Sequence, residues 1–95
     1  MATYIVLGKF TDKGRQGVKD SPDRRREGRE RAKALGVTFQ SYVTMGRYDV
    51  VWVVDAPDEA SMAKWLLGVG KFGALTTETL RGFSEAEADA LFATI

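Results

Sequence analysis

Residues 50 to 56, Val-Val-Trp-Val-Val-Asp-Ala, put apolar side chains on both faces of one short extended segment. Side chains alternate across a strand, so a strand that is apolar on both sides has to be covered on both sides. No stretch of the chain approaches the roughly 20 apolar residues of a membrane-spanning helix. Residues 3 to 10, Thr-Tyr-Ile-Val-Leu-Gly-Lys-Phe, repeat the pattern, with Tyr4, Val6 and Phe10 on one face and Ile5 and Leu7 on the other. Any fold of this chain must therefore cover both faces of these two strands.

One layer is written in the intervening segments. Ser21-Pro22 opens a helix predicted over about 22 to 35, with serine as N-cap and proline in the first turn, and Gly36 closes it as a C′ glycine. Its inward face can only be Gly28, Ala32 and Leu35, a thin stripe that calls for close packing on a sheet. Thr11 to Asp20 reads as a polar, glycine-containing connection. Residues 37 to 44 alternate Val37, Phe39, Ser41, Val43 against Thr38, Gln40, Tyr42, Thr44, a period of two that predicts a strand. Met45 to Asp49 forms a turn, and Ala56-Pro57-Asp58 ends the next strand and caps a helix over about 58 to 69. Ala74 to Phe83 is the fourth strand, with Leu75, Thr77 and Thr79 on one side and Thr76, Glu78 and Leu80 on the other. Ser84 with Glu87 three residues on matches a capping box, so 85 to 93 is expected to form a short last helix.

The order β-α-β-β-α-β with a C-terminal helix is the split, ferredoxin-like α+β arrangement: a four-stranded antiparallel sheet with two helices on one face. Two helices cover one face only. The simplest cover for the other is a second copy, two sheets meeting as a dimeric α/β barrel with a shared interior. A bare patch holding Tyr4, Val6, Val51 and Val53 would otherwise favour aggregation. Periodicity alone leaves open which face the helices take. One domain over residues 1–95 is expected, and a homodimer or higher homo-oligomer suits it, since a chain this size buries only about two-thirds of its unfolded surface.

The chain has no cysteine and no histidine, which excludes disulfides, thiolate nucleophiles, Cys/His zinc sites and the Ser-His-Asp triad. No acidic run has the spacing of a calcium loop, so neither a metal nor a cofactor is expected. With a net charge of +1, nothing global points to nucleic acid. Met1-Ala2-Thr3-Tyr4 lacks the charged and apolar regions of a signal peptide, so a cytoplasmic, membrane-free location is expected.

Several segments together carry a family likeness: Thr3-Tyr4-Ile5-Val6-Leu7, Asp20-Ser21-Pro22, Gly46-Arg47-Tyr48-Asp49, Asp55-Ala56-Pro57-Asp58-Glu59 and Thr77-Glu78-Thr79-Leu80-Arg81-Gly82-Phe83. The chain resembles the GYD-domain family of small bacterial and archaeal proteins over nearly its whole length. The resemblance implies a ferredoxin-like domain of the dimeric α/β-barrel group and names no reaction. The first helix departs from it, with arginine where alanine and leucine are expected.

Tyr48 and Asp49 admit two readings. At the rim of a barrel Asp49 could serve as general base or hydrogen-bond acceptor and Tyr48 as donor; alternatively, Asp49 ties down a tight turn in which Gly46 takes positive φ and Tyr48 lies across it. Glu78 either lines the interior opposite Trp52 or Tyr42, or lies at an edge paired with a basic residue. Tyr4, Tyr42, Tyr48, Asp49, Trp52 and Glu78 are the candidate lining of a small-molecule pocket, and Asp49, Glu78 and Tyr48 are the candidate catalytic groups. Gly8-Lys9-Phe10 and Gly70-Lys71-Phe72 lack the spacing of a phosphate loop. Arg24, Arg25, Arg26, Arg29 and Arg31 crowd the first helix, where Arg26–Glu30 and Glu27–Arg31 are spaced for ion pairs. No aromatics flank them as a nucleic-acid surface requires. Trp52 and Trp65 are expected in the core. Function then divides between a homodimeric small-molecule-binding or assembly module and a cofactor-independent isomerase or oxygenase acting on a small aromatic or lactone substrate, the latter resting on fold analogy.

Overall fold

A computed structural model describes all of residues 1–95. Strands β1 (Ala2–Phe10), β2 (Thr38–Val43), β3 (Val50–Ala56) and β4 (Leu75–Gly82) form one antiparallel sheet in the order β2-β3-β1-β4. Helices α1 (Asp12–Gln16) and α2 (Ser21–Ala34) join β1 to β2, α3 (Glu59–Gly70) joins β3 to β4, and α4 (Glu85–Phe92) follows β4. The two doubly apolar strands, β1 and β3, are the central pair. This is the ferredoxin-like arrangement that the element order predicts.

The register settles which face is which. Tyr4, Val6, Trp52, Val54 and Ala56 point under the helices and join Ala32, Val37, Met62 and Trp65 in the core. Ile5, Leu7, Val51 and Val53 point to the bare face. Tyr4 and Val6 therefore do not share a patch with Val51 and Val53, as the sequence reading supposed; antiparallel pairing aligns Tyr4 with Val54 and Val6 with Trp52. Only 14 of 95 residues are buried, so one helix-covered face makes a slender core.

Capping explains most boundaries. Asp58 accepts the Ser61 N–H at 2.7 Å, and Ser84 and Glu87 complete the reciprocal box at 3.1 and 2.9 Å. Gly36 and Gly46 take the positive φ their turns demand, 72° and 109°. Two expectations fail. Ser21 is the first residue of α2 rather than its N-cap, because a 3₁₀ turn over Val18–Asp20 leads in already coiled; its hydroxyl accepts from Arg24 instead. The connection after β1 is not loop throughout but holds α1, which Thr11 caps. Gly14 and Gly17 give that segment poor helix propensity. Docking compensates: Thr11 bonds the Ala74 and Gly73 carbonyls at 2.9 and 2.6 Å, and a Cβ at Gly14 would run into Ala74.

The caps also set an acid response. Hydrogen bonds from Ser61 hold the Asp58 carboxyl below its ordinary 3.8, and those from Ser84 hold Glu87 below its ordinary 4.5, with Lys64 and Arg81 respectively adding a smaller pull. A pKa lowered by folding means stability that is present above the ordinary value and lost as pH falls through the lowered one. Far-UV circular dichroism should thus show helix lost below about pH 4.5, and Glu87→Gln should remove the α4 share of that loss.

Candidate functional site

The β2–β3 turn is built from its own backbone upward. Asp49 donates its N–H to the Gly8 carbonyl at 2.8 Å and its carboxylate accepts the Phe10 N–H at 2.9 Å, so a side chain prolongs the β1–β3 ladder past Gly8–Val50. Thr44 closes the turn by donating its N–H to the Asp49 carbonyl and its hydroxyl to the Tyr48 carbonyl. As a base, Asp49 would have to release a backbone donor. Replacing it with alanine should cost about 1–2 kcal/mol by orphaning the Phe10 N–H, whereas Asp49→Asn keeps an acceptor and should cost less than half as much in urea unfolding.

With the turn folded over the end of β1, Tyr48 reaches across that strand, and its hydroxyl donates to Glu78 on β4 at 3.3 Å. The Lys9 ammonium and the Arg47 guanidinium lie 5.6 and 5.8 Å from its ring centroid. Leu7, Lys9, Tyr48, Thr76, Thr77 and Glu78 enclose a small cavity of about 290 Å³ at the edge of the bare face. This group offers a carboxylate, a phenol and an ammonium within reach of one polar molecule. Glu78 does lie on an edge strand, exposed, but its partner is a phenol and not a basic residue.

The six candidate lining residues do not converge. Tyr42, Tyr48 and Glu78 belong to the bare face, with Tyr42 in the row Tyr42–Val51–Leu7–Glu78 but on the opposite edge strand. Asp49 is spent on the Phe10 backbone. Tyr4 and Trp52 lie on the helix face, each 9% exposed. One pocket lined by all six is therefore excluded by the strand pleat.

A larger cavity, about 670 Å³, lies on the other side, between α2, α3 and the sheet. Its walls include Phe39, Trp52, Trp65 and Phe72, and Arg24, Arg25, Arg31 and Lys71 stand among the residues around it against one acid, Glu27. Sequence reasoning saw the thin stripe of α2 and drew close packing from it. Residues 22–31, Pro-Asp-Arg-Arg-Arg-Glu-Gly-Arg-Glu-Arg, have no large apolar side chain to fill the space above the sheet, and a Cβ at Gly28 would meet nothing within 4 Å. That absence was the available signal. The expected pairs Arg26–Glu30 and Glu27–Arg31 do not form. Arg26 turns to Asp23 at 2.8 Å, Arg24 bonds the Gly17 carbonyl, and Arg29 lies 4.6 Å over the Phe39 ring.

No three acidic residues come together as a metal cluster, and no helix is long and apolar enough to cross a membrane. A crystal structure of a hypothetical protein from Pyrococcus horikoshii has the same fold, with a TM-score of 0.57 at 20% identity over 90% of this chain and 93% of that one. The chain is 35% identical over 89 residues to the glutamine synthetase and cystathionine beta-lyase binding protein of Thermus thermophilus, covering 92% of this chain and 94% of that protein. The GYD domain model matches residues 4–92, which takes in both sheet faces and the Gly46–Asp49 turn. The chain belongs to the GYD domain family.

Proposed function

We propose that the chain is a homodimeric binding and assembly module that pairs through the bare face of its sheet and holds other proteins on its outer surface. The carrying observation is that face itself: Ile5, Leu7, Val51, Val53 and Leu80 form two adjacent apolar rows across β3, β1 and β4, rimmed by Thr3, Gln40, Asp55 and Glu78. An apolar centre inside a polar rim is the anatomy of a protein–protein contact. Leu80 is half exposed and Tyr42 slightly more, so the protomer alone leaves this surface wet. The name of the Thermus relative, a binding protein for two enzymes, supports protein partners for this chain as well.

Sedimentation equilibrium tests the pairing. A particle of twice the 10.5 kDa chain is expected, and a monomer at every concentration overturns it. A second reading, favoured by the Lys9–Tyr48–Glu78 group alone, gives the 290 Å³ cavity a small polar ligand at the rim of the dimer contact. Thermal-shift screening of small hydroxy and amino compounds should then find one whose stabilisation disappears in Glu78→Ala.

A further inference from the structure

Two features remain unpartnered in the protomer, and they complement each other. The first is α4. It has no buried residue, and Leu91, Phe92 and Ile95 are 48, 66 and 99% exposed. Ala88, Leu91, Phe92 and Ile95 have the spacing of a single helical face, extended one turn past Phe92. Glu85 and Asp89 fall along one side of that stripe and Glu87 along the other, with no basic residue in the helix. The second is the 670 Å³ cavity, whose apolar walls carry Arg24, Arg25, Arg31 and Lys71. None of these four is paired with a carboxylate.

We propose that α4 of one protomer docks into the α2–sheet cavity of its partner, apolar stripe inward and carboxylates against the basic rim. The partner helix then completes a core that the protomer leaves hollow. This inference rests on the sheet-to-sheet pairing above. The topology favours exchange over self-docking: α4 leaves β4 at the Gly82 end, where the cavity is lined by β2 at Phe39, while on β4 the cavity is lined only by Leu75 at the opposite end of the strand. Those strands are opposite edges, three spacings or roughly 14 Å apart. In a face-to-face pair whose two-fold axis runs along the strands, each β4 lies over the partner's β2. The exit of β4 at Gly82 is level with Thr3, Asp55 and Thr38, one residue from the Phe39 end of the cavity. So α4 begins level with the Phe39 end of the partner's cavity, and it reaches that cavity, on the far face of the partner's sheet, by passing around the free β2 edge.

The absence of cysteine makes the test direct. Chains carrying Ser41→Cys, at the cavity, are mixed with chains carrying Ala88→Cys, on the stripe, and treated with a short bis-maleimide, one chain bearing a tag so that the mixed product is resolved by mass. Both changes are small, and single variants on separate chains report only contacts between copies. The mixed cross-link is expected as the main product. Adding Phe92→Asp to the Ala88→Cys chain should cut its yield at least tenfold while sedimentation still gives a dimer. A dimer without the mixed cross-link overturns the docking and leaves the sheet pairing intact, with the cavity free for an amphipathic anion. A cross-link undiminished by Phe92→Asp also overturns it. A wild-type monomer removes the pairing itself, and the docking with it.

Discussion

Val53→Asp should convert the proposed sheet-paired dimer to a monomer. Val53 lies at the centre of the bare face, flanked by Ile5 on β1 and Gln40 on β2. In a sheet-to-sheet contact a carboxylate there is cut off from water with no cation in its row, which is Gln40, Val53, Ile5 and Leu80. Even a cost of about 3 kcal/mol per interface weakens the dissociation constant by roughly a hundredfold, and a two-fold axis brings both copies of the substitution to the same contact. The protomer itself should survive, because Val53 is only partly buried in it and takes no part in the helix-side core. Sedimentation should show the lower mass with an unchanged far-UV spectrum. Gln40→Asp, at the rim of the same row, should leave the dimer in place. A Val53→Asp chain that remained dimeric would exclude the bare face as the contact.

Trp65→Ala should be the most damaging change to the protomer. Trp65 is 1% exposed, and its ring lies 4.9 Å from Phe39 and 5.3 Å from Trp52, the cluster that joins α3 to the outer half of the sheet. Its indole N–H donates to the Gly28 carbonyl at 3.0 Å, a buried tether between α3 and α2. Truncation removes about 3–5 kcal/mol of packing and enlarges a region that is already hollow. Loss of the indole bond to the Gly28 carbonyl adds about 1 kcal/mol or less, since that carbonyl keeps its partner within α2. At about 4–8 °C per kcal/mol for a domain of this size, the melting temperature should fall by at least 15 °C. Trp65→Phe, which keeps most of the ring and loses the donor, should cost roughly a third as much. Calorimetry of both variants checks the ratio.

The arginines of α2 show where local rules stop. Spacing pairs Arg26 with Glu30 and Glu27 with Arg31, but an exposed i, i+4 pair contributes only about 0.3–0.5 kcal/mol. Alternatives of similar worth win easily. Arg26 finds Asp23 one turn back, and Arg24 finds the Gly17 carbonyl and the face of Phe72. Glu78 teaches the same lesson, since strand periodicity put it correctly beside Thr76 and Leu80, yet its partner came from Tyr48, thirty residues away in the chain.

What the sequence determined by itself was the order of the four strands, the two long helices and α4, the Asp58 and Ser84–Glu87 caps, and the glycine turns at 36 and 46. Each depends on residues within a few positions of one another, where periodicity and backbone stereochemistry act directly. Only the tertiary structure decided that Tyr4 and Trp52 face the helices while Val51 and Val53 face outward. A strand apolar on both sides carries no mark of which side the helices will take; that choice is made by register across the sheet. The cavity beneath α2 was decided there too, because a void is a property of two surfaces that fail to meet, and neither surface records it alone.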